Sequence, residues 1–275
     1  MNLTHENNLL QEINNLSASG KIQDSVALTA QAVGSGLTAQ NAEIKIQKLI
    51  PITRQRLSAA KFYLDAIENM NYAPYLGSQS SFSEEQRSLI DFSDSNLHVE
   101  INLLNPDTFP LIVFLILQGF FSNLVSLEDC IAKIINIAYD LIPSDERPSD
   151  VGRALDSKIP KGNLIHHIRT FHAINQDGKL DETGSWFNIA KKIRNELVHD
   201  DIDGVMISLS SISLSGSPAV PKLHFHNSFF PANTTPANTE MIAFCQNVYD
   251  ETVNFVDECY RLIRDDLQHS GAFPV

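Results

Sequence analysis

The chain has 275 residues, 43% of them hydrophobic, which is enough for one large core or for one core with an appendage. Its 20 basic and 33 acidic residues give a net charge of −13. That balance argues against general nucleic-acid binding, because a phosphate backbone requires basic surface. An enzyme that acts on RNA is compatible with it only if basic residues are concentrated at one site.

Cysteine content and apolar runs predict a reduced, soluble, cytoplasmic protein. Three scattered cysteines do not make a disulfide framework, and each lies in an apolar helical pattern typical of a buried free thiol: Cys130, Cys245 and Cys259. The first thirty residues lack a basic start followed by an apolar stretch, so we expect no signal peptide. The most apolar run, Pro110 to Val125, is interrupted by polar residues and falls short of the ~20 apolar residues of a membrane span.

The first part of the chain combines a polar segment with a long helix. Residues 1–38 are rich in Asn, Ser, Gln and Ala and predict a weakly structured segment, with a short helix around Glu6–Leu16. A long helix is predicted over about 42–71, in which Pro51 marks a kink or the true start. Its predicted buried residues include Ile46, Leu49, Ile50, Leu57, Ala60, Phe62, Tyr63 and Ile67.

A loop region and a second long helix follow. Residues 72–107 are rich in Ser, Asn, Asp, Gly and Pro and predict mostly loop, with a short helix near 83–92. The second long helix is predicted over about 107–141, with Pro110 in its first turn. Its first half is apolar on nearly every face, which indicates a buried central helix.

Three shorter helices are predicted next, over about 148–156, 164–172 and 183–199, with a turn at 175–178 before the third. We call the third of these the motif helix. Apolar residues recur in it at helical spacing and predict its buried stripe. They are Trp186, Ile189, Ala190, Ile193 and Leu197.

The pattern then changes to strand-like alternation. A β-hairpin is predicted over about 204–230, with a bulge where the alternation slips phase at Ser211. A final helix over about 238–268 has a buried stripe at Met241, Cys245, Val248, Thr252, Phe255, Val256, Cys259 and Ile263. Without internal repeats or domain linkers, the simplest organisation is a single helical domain over 39–275 that carries this hairpin before its last helix.

The motif helix ends in the hexapeptide RNELVH, from Arg194 to His199. Arginine offers phosphate oxygens a planar, permanently charged fork. Histidine exchanges a proton near neutral pH, and Asn195 is able to orient either partner. The helix C-terminus favours the protonated form of His199. This set of side chains is able to act on a phosphodiester without a metal ion or another cofactor.

The motif resembles the HEPN superfamily, in which an arginine, a polar residue and a histidine a few positions on lie late in a helix. The resemblance covers Arg194, Asn195 and His199 in this chain. It implies an all-α, up-and-down helical bundle that forms a homodimer, and a metal-independent endoribonuclease that is often a toxin or an antiviral effector. Other members bind nucleotides or are inactive. Some of the toxins carry a nucleotide-accepting tyrosine two positions after the histidine, where this chain has Asp201.

Helical geometry leaves the arrangement of this motif open. At about 100° per residue, Asn195 and His199 share a face with Asn188 and Lys192, and that face is either functional or simply solvated. Arg194 lies about 140° around the helix from His199 by the same rule. The two side chains converge through the length of arginine, through fraying of the last turn, or through a second subunit.

A basic stretch lies upstream of the motif helix. Residues 157–172 contain no acidic residue. Together with lysines of the motif helix, they predict a substrate groove formed by Lys158, Lys161, Arg169, Lys191 and Lys192. The alternative is that these residues balance the acids at 145–156 within an ordinary surface.

Other chemical groups carry weaker signals. His224 and His226 point to one face of a strand and indicate an exposed hairpin face rather than a metal site. His166 and His167 point to different faces of a helix, so only one of them is able to join a site. Glu128 is interpreted as a cap or a solvated side chain, or else as a carboxylate that reaches Arg194 or His199.

The leading hypothesis is a homodimeric HEPN-like endoribonuclease that cleaves RNA by attack of the 2′-hydroxyl. Its catalytic residues would be Arg194, Asn195 and His199, its partner an antitoxin or regulatory protein, and no membrane would be involved. The rival hypothesis is a non-catalytic helical protein that binds nucleotides or acts as a scaffold and retains the motif. The acidic balance and Asp201 favour the rival, whereas the acid-free stretch favours the enzyme.

Overall fold

The computed structural model describes residues 5, 6, 8, 11, 39–69, 97–99, 111–139, 141, 147–158, 162–175, 177–199, 207–212, 222–225, 227–232, 234 and 239–270. Most of these residues are helical, which confirms the predicted all-α class.

The described part of the chain contains six α-helices and three β-strands. The helices are α1 (Ala39–Glu68), α2 (Leu111–Tyr139), α3 (Pro148–Lys158), α4 (Asn163–Phe171), α5 (Trp186–His199) and α6 (Met241–Ser270). The strands are β1 (Leu97–Val99), β2 (Ile207–Ile212) and β3 (Lys222–Phe225), and a 3₁₀ turn follows at Asn227–Phe229. Each predicted long helix is confirmed, with ends that differ by a few residues as helix termini commonly do.

The chain divides into two compact units. Unit 1 comprises Met1–Ala59, Asn123–Phe187 and Asp250–Val275, and unit 2 comprises Ala60–Ser122 and Asn188–Tyr249. Four helices, α1, α2, α5 and α6, contribute residues to both units. The single-domain organisation over 39–275 stays a prediction.

The buried stripe predicted for the C-terminal helix is confirmed at all eight positions of α6. The stripe predicted for α1 is confirmed at Ile46, Ile50, Leu57, Ala60 and Ile67. It is wrong at Phe62, whose side chain is 68% exposed. Phe62 lies two residues, or about 200°, from Ala60 and from Leu64, both of which face inward, so helical geometry turns its ring to solvent. The ring then packs edge-on against Tyr63.

The apolar residues of the helix α2 are largely buried, and Leu115 is an exception. Leu115 is 52% exposed, so the prediction that the apolar first half of this helix is buried is wrong at that position. The apolar run also continues beyond Val125 through Ile131, Ile134 and Ile135. By length and composition alone, the segment Phe114–Tyr139 is therefore able to cross a membrane, although a core helix of a soluble protein has the same composition. The cytoplasmic location stays a prediction.

The three strands form one antiparallel sheet in the order β1-β2-β3. The predicted hairpin is confirmed, with Ile207 opposite Phe225 and Ser210 opposite Lys222. Leu97 pairs with Ile212 and His98 pairs with Ser210, so Ser211 is the extra residue of a bulge. The slip in the sequence pattern thus marks a bulge, which lies in the pairing of β2 with β1 rather than with β3.

The strand β1 lies in a region predicted to be loop, and that part of the prediction is wrong. Three residues are too short to show an alternating pattern, so the strand exists through its pairing with β2. Of the predicted helix at Glu6–Leu16, the described residues Glu6, Asn8 and Gln11 are helical. The predicted helix near 83–92 and the first turn with Pro110 lie outside the described residues.

In unit 2 the helices α1 and α2 approach closely where Tyr63 lies against Gly119. A Cβ atom on Gly119 would fall 2.5 Å from the Cζ atom of the Tyr63 ring, which is closer than van der Waals contact allows. The missing side chain therefore makes room for the aromatic ring. Gly152 in α3 differs, because a Cβ atom there would meet nothing within 4 Å.

We expect Gly119→Ala to lower the free energy of unfolding by about 1–2 kcal/mol, because the Tyr63 ring must move. The matched control, Gly152→Ala, should raise it by about 0.5–1 kcal/mol through the helix preference of alanine. Urea denaturation followed by circular dichroism measures both. A Gly119→Ala protein as stable as Gly152→Ala would contradict the proposed contact.

The three cysteines are buried and free, as predicted. Burial raises the pKa of each thiol. The thiols therefore stay protonated near neutral pH and are poor nucleophiles.

Thiol labelling tests this description of Cys130, Cys245 and Cys259. In the native protein we expect labelling at least about 100-fold slower than for free cysteine, because the groups are buried and protonated. All three should react at once in denaturant. Rapid labelling of any one cysteine under native conditions would show that the corresponding helix face is accessible.

Candidate functional site

The motif helix α5 begins after a turn held by local hydrogen bonds. Gly178 adopts a positive φ of 76°, and its amide donates to the carbonyl oxygen of Asn175. The Asp181 side chain then accepts a hydrogen bond of 3.0 Å from the backbone amide of Thr183. The turn predicted at 175–178 is confirmed, and it leads into the helix at Trp186.

An apolar stripe fixes the rotation of α5 about its axis. Its predicted residues Ile189, Ala190, Ile193 and Leu197 are all buried. Trp186 is only partly buried, and its neighbour Phe187 is the more buried aromatic side chain at the start of the helix.

The polar face of α5 is not uniformly solvated. Asn188 is only 6% exposed, Lys192 is half-buried and Asn195 is exposed. The Lys192 ammonium donates to the carbonyl oxygen of Ser228 at 3.3 Å and lies 5.7 Å from the centroid of the Phe229 ring. Lys192 therefore binds the segment that follows β3. One of the predicted substrate-binding residues thus has a structural role.

Arg194 lies at the edge of the buried stripe and is half-buried. One of its terminal nitrogens donates to the Asn195 side-chain oxygen at 3.0 Å. Its Nε atom is buried and has no hydrogen-bond partner. Within the described ranges no carboxylate pairs with this guanidinium. Two of the three predicted catalytic residues, Arg194 and Asn195, are thus brought into direct contact.

His199 is the last residue of α5. Its side chain lies outside the described residues, as do Asp200 and Asp201. The approach of the imidazole to Arg194, within one chain or between two copies, stays a prediction.

Most other arginines of the described chain are neutralised by carboxylates. Arg54 pairs with Glu6, Arg153 with Asp150, Arg169 with Asp156, Arg261 with Glu258 and Asp265, and Arg264 with Asp265. Arg194 differs from these residues in being half-buried without a carboxylate partner in that part of the chain. It is the described side chain best suited to bind an external anion.

The predicted basic groove has members in both units. In unit 1 the Lys158 ammonium donates to the carbonyl oxygen of Tyr139 at 2.7 Å, and Arg169 pairs with Asp156 at 2.6 Å. In unit 2 Lys191 is half-buried on α5. Lys161 lies outside the described residues. The ion pair of Arg169 fits the alternative in which this stretch balances nearby acids, and Lys158 is used in a contact within the fold.

Two of the three histidines in α4 and the adjoining turn, His167 and His172, pack against other side chains. His166 is exposed, whereas His167 stacks on Phe255 with ring centroids 5.3 Å apart. Burial lowers the pKa of His167, which favours the neutral imidazole. His172 is buried and lies 3.7 Å from Glu128 in an ion-pair geometry. The interpretation of Glu128 as a cap or a solvated side chain is therefore wrong, and no local pattern links two residues so far apart in sequence.

The prediction that His224 lies on an exposed hairpin face is also wrong. Its side chain is only 6% exposed, and its Nδ1 atom lies 3.1 Å from the Thr239 hydroxyl oxygen. A bridge between His224 and Glu240 brings the start of the C-terminal helix beside β3, which explains the burial. His226 lies outside the described residues. No group of three or more His, Cys, Asp or Glu side chains in the described ranges is arranged to hold a metal ion.

Comparison with known proteins gives no match for the chain: no family model, no curated protein and no solved structure matches it. The resemblance to HEPN proteins depends on the motif of α5 and the all-α class.

Thr239→Val tests the contact that buries His224. Valine keeps the shape of threonine but removes the hydroxyl group, so we expect a loss of about 1–2 kcal/mol in the free energy of unfolding. Thr170→Val is the control, because Thr170 is exposed and bonds within its own helix. Equal effects of the two substitutions in thermal unfolding would argue against a stabilising His224–Thr239 contact.

Proposed function

We propose that the chain is a HEPN-like, metal-independent endoribonuclease that cleaves RNA by attack of a 2′-hydroxyl on the adjacent phosphorus. The observation that supports this most is the Arg194 guanidinium, which is half-buried, has a buried Nε without a hydrogen-bond partner, and has no carboxylate beside it in the described chain. A partly desolvated cation without a counter-ion is costly, and a bound phosphate would offset that cost.

The proposed chemistry assigns one role to each motif residue. Arg194 stabilises the negative charge that develops on the phosphoryl oxygens. Asn195 holds the guanidinium plane through its 3.0 Å hydrogen bond. His199 removes the proton from the 2′-hydroxyl or donates one to the leaving 5′-oxygen. The products are a 2′,3′-cyclic phosphate and a 5′-hydroxyl.

The proposal includes a homodimer. Arg194 and His199 are about 140° apart around α5, so a second copy of the helix would bring an arginine of one protomer to the histidine of the other. A toxin or defence role with a protein inhibitor belongs to the same proposal, through the resemblance.

A non-catalytic nucleotide-binding or scaffold protein is the second candidate. The observation that favours it is that three members of the proposed groove are used inside the fold: Lys158, Arg169 and Lys192. With these cations occupied and a net charge of −13, the remaining basic surface suits one phosphate group better than a long RNA backbone.

The deciding experiment is cleavage of a labelled RNA by the full chain in the presence of a chelator. We expect activity that falls at least about 100-fold in His199→Ala and in Arg194→Met, because each removes one element of transition-state stabilisation. Arg153→Met is the matched control, since Arg153 is an exposed arginine paired with Asp150. The same strand made of DNA should stay intact, because it lacks the nucleophile.

Mixing the two inactive variants tests the shared site. Heterodimers of Arg194→Met and His199→Ala contain one intact Arg–His combination if the site joins two protomers, and activity should then return in part. Full activity of His199→Ala alone would contradict the mechanism. Nucleotide binding that depends on Arg194, without cleavage of any RNA, would favour the second candidate.

A further inference from the structure

The N-terminal segment, which the structure describes at residues 5, 6, 8 and 11, carries an ion pair with a buried carboxylate. The Glu6 side chain is 2% exposed, whereas that of its partner Arg54, on α1, is 53% exposed. The Arg54 Nε donates to one carboxylate oxygen at 3.1 Å, and a terminal guanidinium nitrogen contacts the other oxygen. This two-point arrangement is the strongest geometry for an arginine–carboxylate pair.

The preceding residue makes a second contact, with α6. The backbone amide of His5 donates to a carboxylate oxygen of Asp257 at 2.8 Å, and the His5 Nε2 lies 3.9 Å from the other oxygen. Two consecutive residues of the segment are therefore attached to two different helices. All four residues belong to unit 1.

We propose that Glu6 and Arg54 form an electrostatic latch, in which the Arg54 guanidinium on α1 holds His5 and Glu6 against α1 and α6. Loss of this guanidinium releases both residues from the folded protein. The sequence does not indicate this pair, because Glu6 and Arg54 are 48 residues apart.

The unequal exposure of the two partners determines how the latch opens. Removing Glu6 leaves Arg54 half in water, where its charge is solvated. Removing Arg54 leaves a carboxylate buried without its cation, which is far more costly. The segment then lowers its free energy by leaving the site and exposing Glu6 to water.

Tyr260, which interacts electrostatically with Glu6, does not replace the lost cation. Burial raises the pKa of Tyr260, so its hydroxyl group stays neutral beside Glu6. Neither Thr53, which donates to the Leu49 carbonyl oxygen, nor the neutral phenol supplies a positive charge. The attachment of Glu6 therefore depends on Arg54.

Hydrogen exchange of the full chain at neutral pH tests this proposal, because the His5 amide reports directly on the contact with Asp257. In Arg54→Met, amides of residues 5–8 should exchange at least about tenfold faster than in the unmodified chain. Glu6→Gln should have a smaller effect, since the side-chain amide oxygen still accepts a hydrogen bond from the guanidinium. Amides of α6 should keep their protection in both variants.

Arg56→Met is the matched control. Arg56 lies on the same helix, is exposed and bonds the Asn123 side chain at 3.1 Å rather than a carboxylate. Exchange of residues 5–8 should not change in this variant.

The proposal is overturned if Arg54→Met leaves these amides protected, or if Arg56→Met exposes them equally. Should Arg54→Met fail to fold, hydrogen exchange is measured in Glu6→Ala instead. This substitution removes the buried carboxylate and leaves a solvated arginine. Release of residues 5–8 with intact α6 then supports the latch, whereas unchanged protection of the His5 amide ends it.

Discussion

Burial of Ile189, Ile193 and Leu197 decides where each described polar side chain of the motif helix lies. Three such side chains contribute on the order of 5 kcal/mol through removal of apolar surface from water, compared with about 1 kcal/mol for a hydrogen bond such as that from Arg194 to Asn195. Packing therefore fixes the rotation of α5, and the polar groups take the positions that remain. Arg194 is left at the margin of the core, where its charge is partly desolvated but still within reach of an external anion.

Many cations of the described chain are used internally in this acidic protein. Arg169 and Arg261 neutralise nearby carboxylates, and Lys158 and Lys192 bond to backbone carbonyl groups. A cluster of basic residues in the sequence is therefore a poor predictor of a phosphate-binding surface. The same residues also form the internal ion pairs and hydrogen bonds that stabilise an acidic protein. Arg194 differs from these residues because it is half-buried and pairs with no carboxylate in the described chain.

Local periodicity accounts for what the sequence predicted correctly. The helices, their buried stripes and the bulge at Ser211 all leave a pattern within a few neighbouring residues. The failures involve partners distant in sequence. Alternation places His224 on one side of a strand but does not say which side packs against another element. Likewise, the residues around Glu6 do not indicate that its partner is Arg54. The candidate site divides in the same way. Its residues were predicted from the motif, but only the three-dimensional structure shows that no described carboxylate pairs with Arg194.

The position of β1 in the sheet has a consequence for the order of assembly. Joining β1 to β2 closes a stretch of roughly 110 residues, against roughly 12 for the β2–β3 hairpin, and the extra loop-closure entropy costs about 2 kcal/mol. The helices between β1 and β2 and the hairpin make local contacts, so we expect them to form first and β1 to dock last. Until then the outer edge of β2 offers unpaired amide and carbonyl groups to any neighbouring chain, which makes newly synthesised copies most prone to aggregation at this edge.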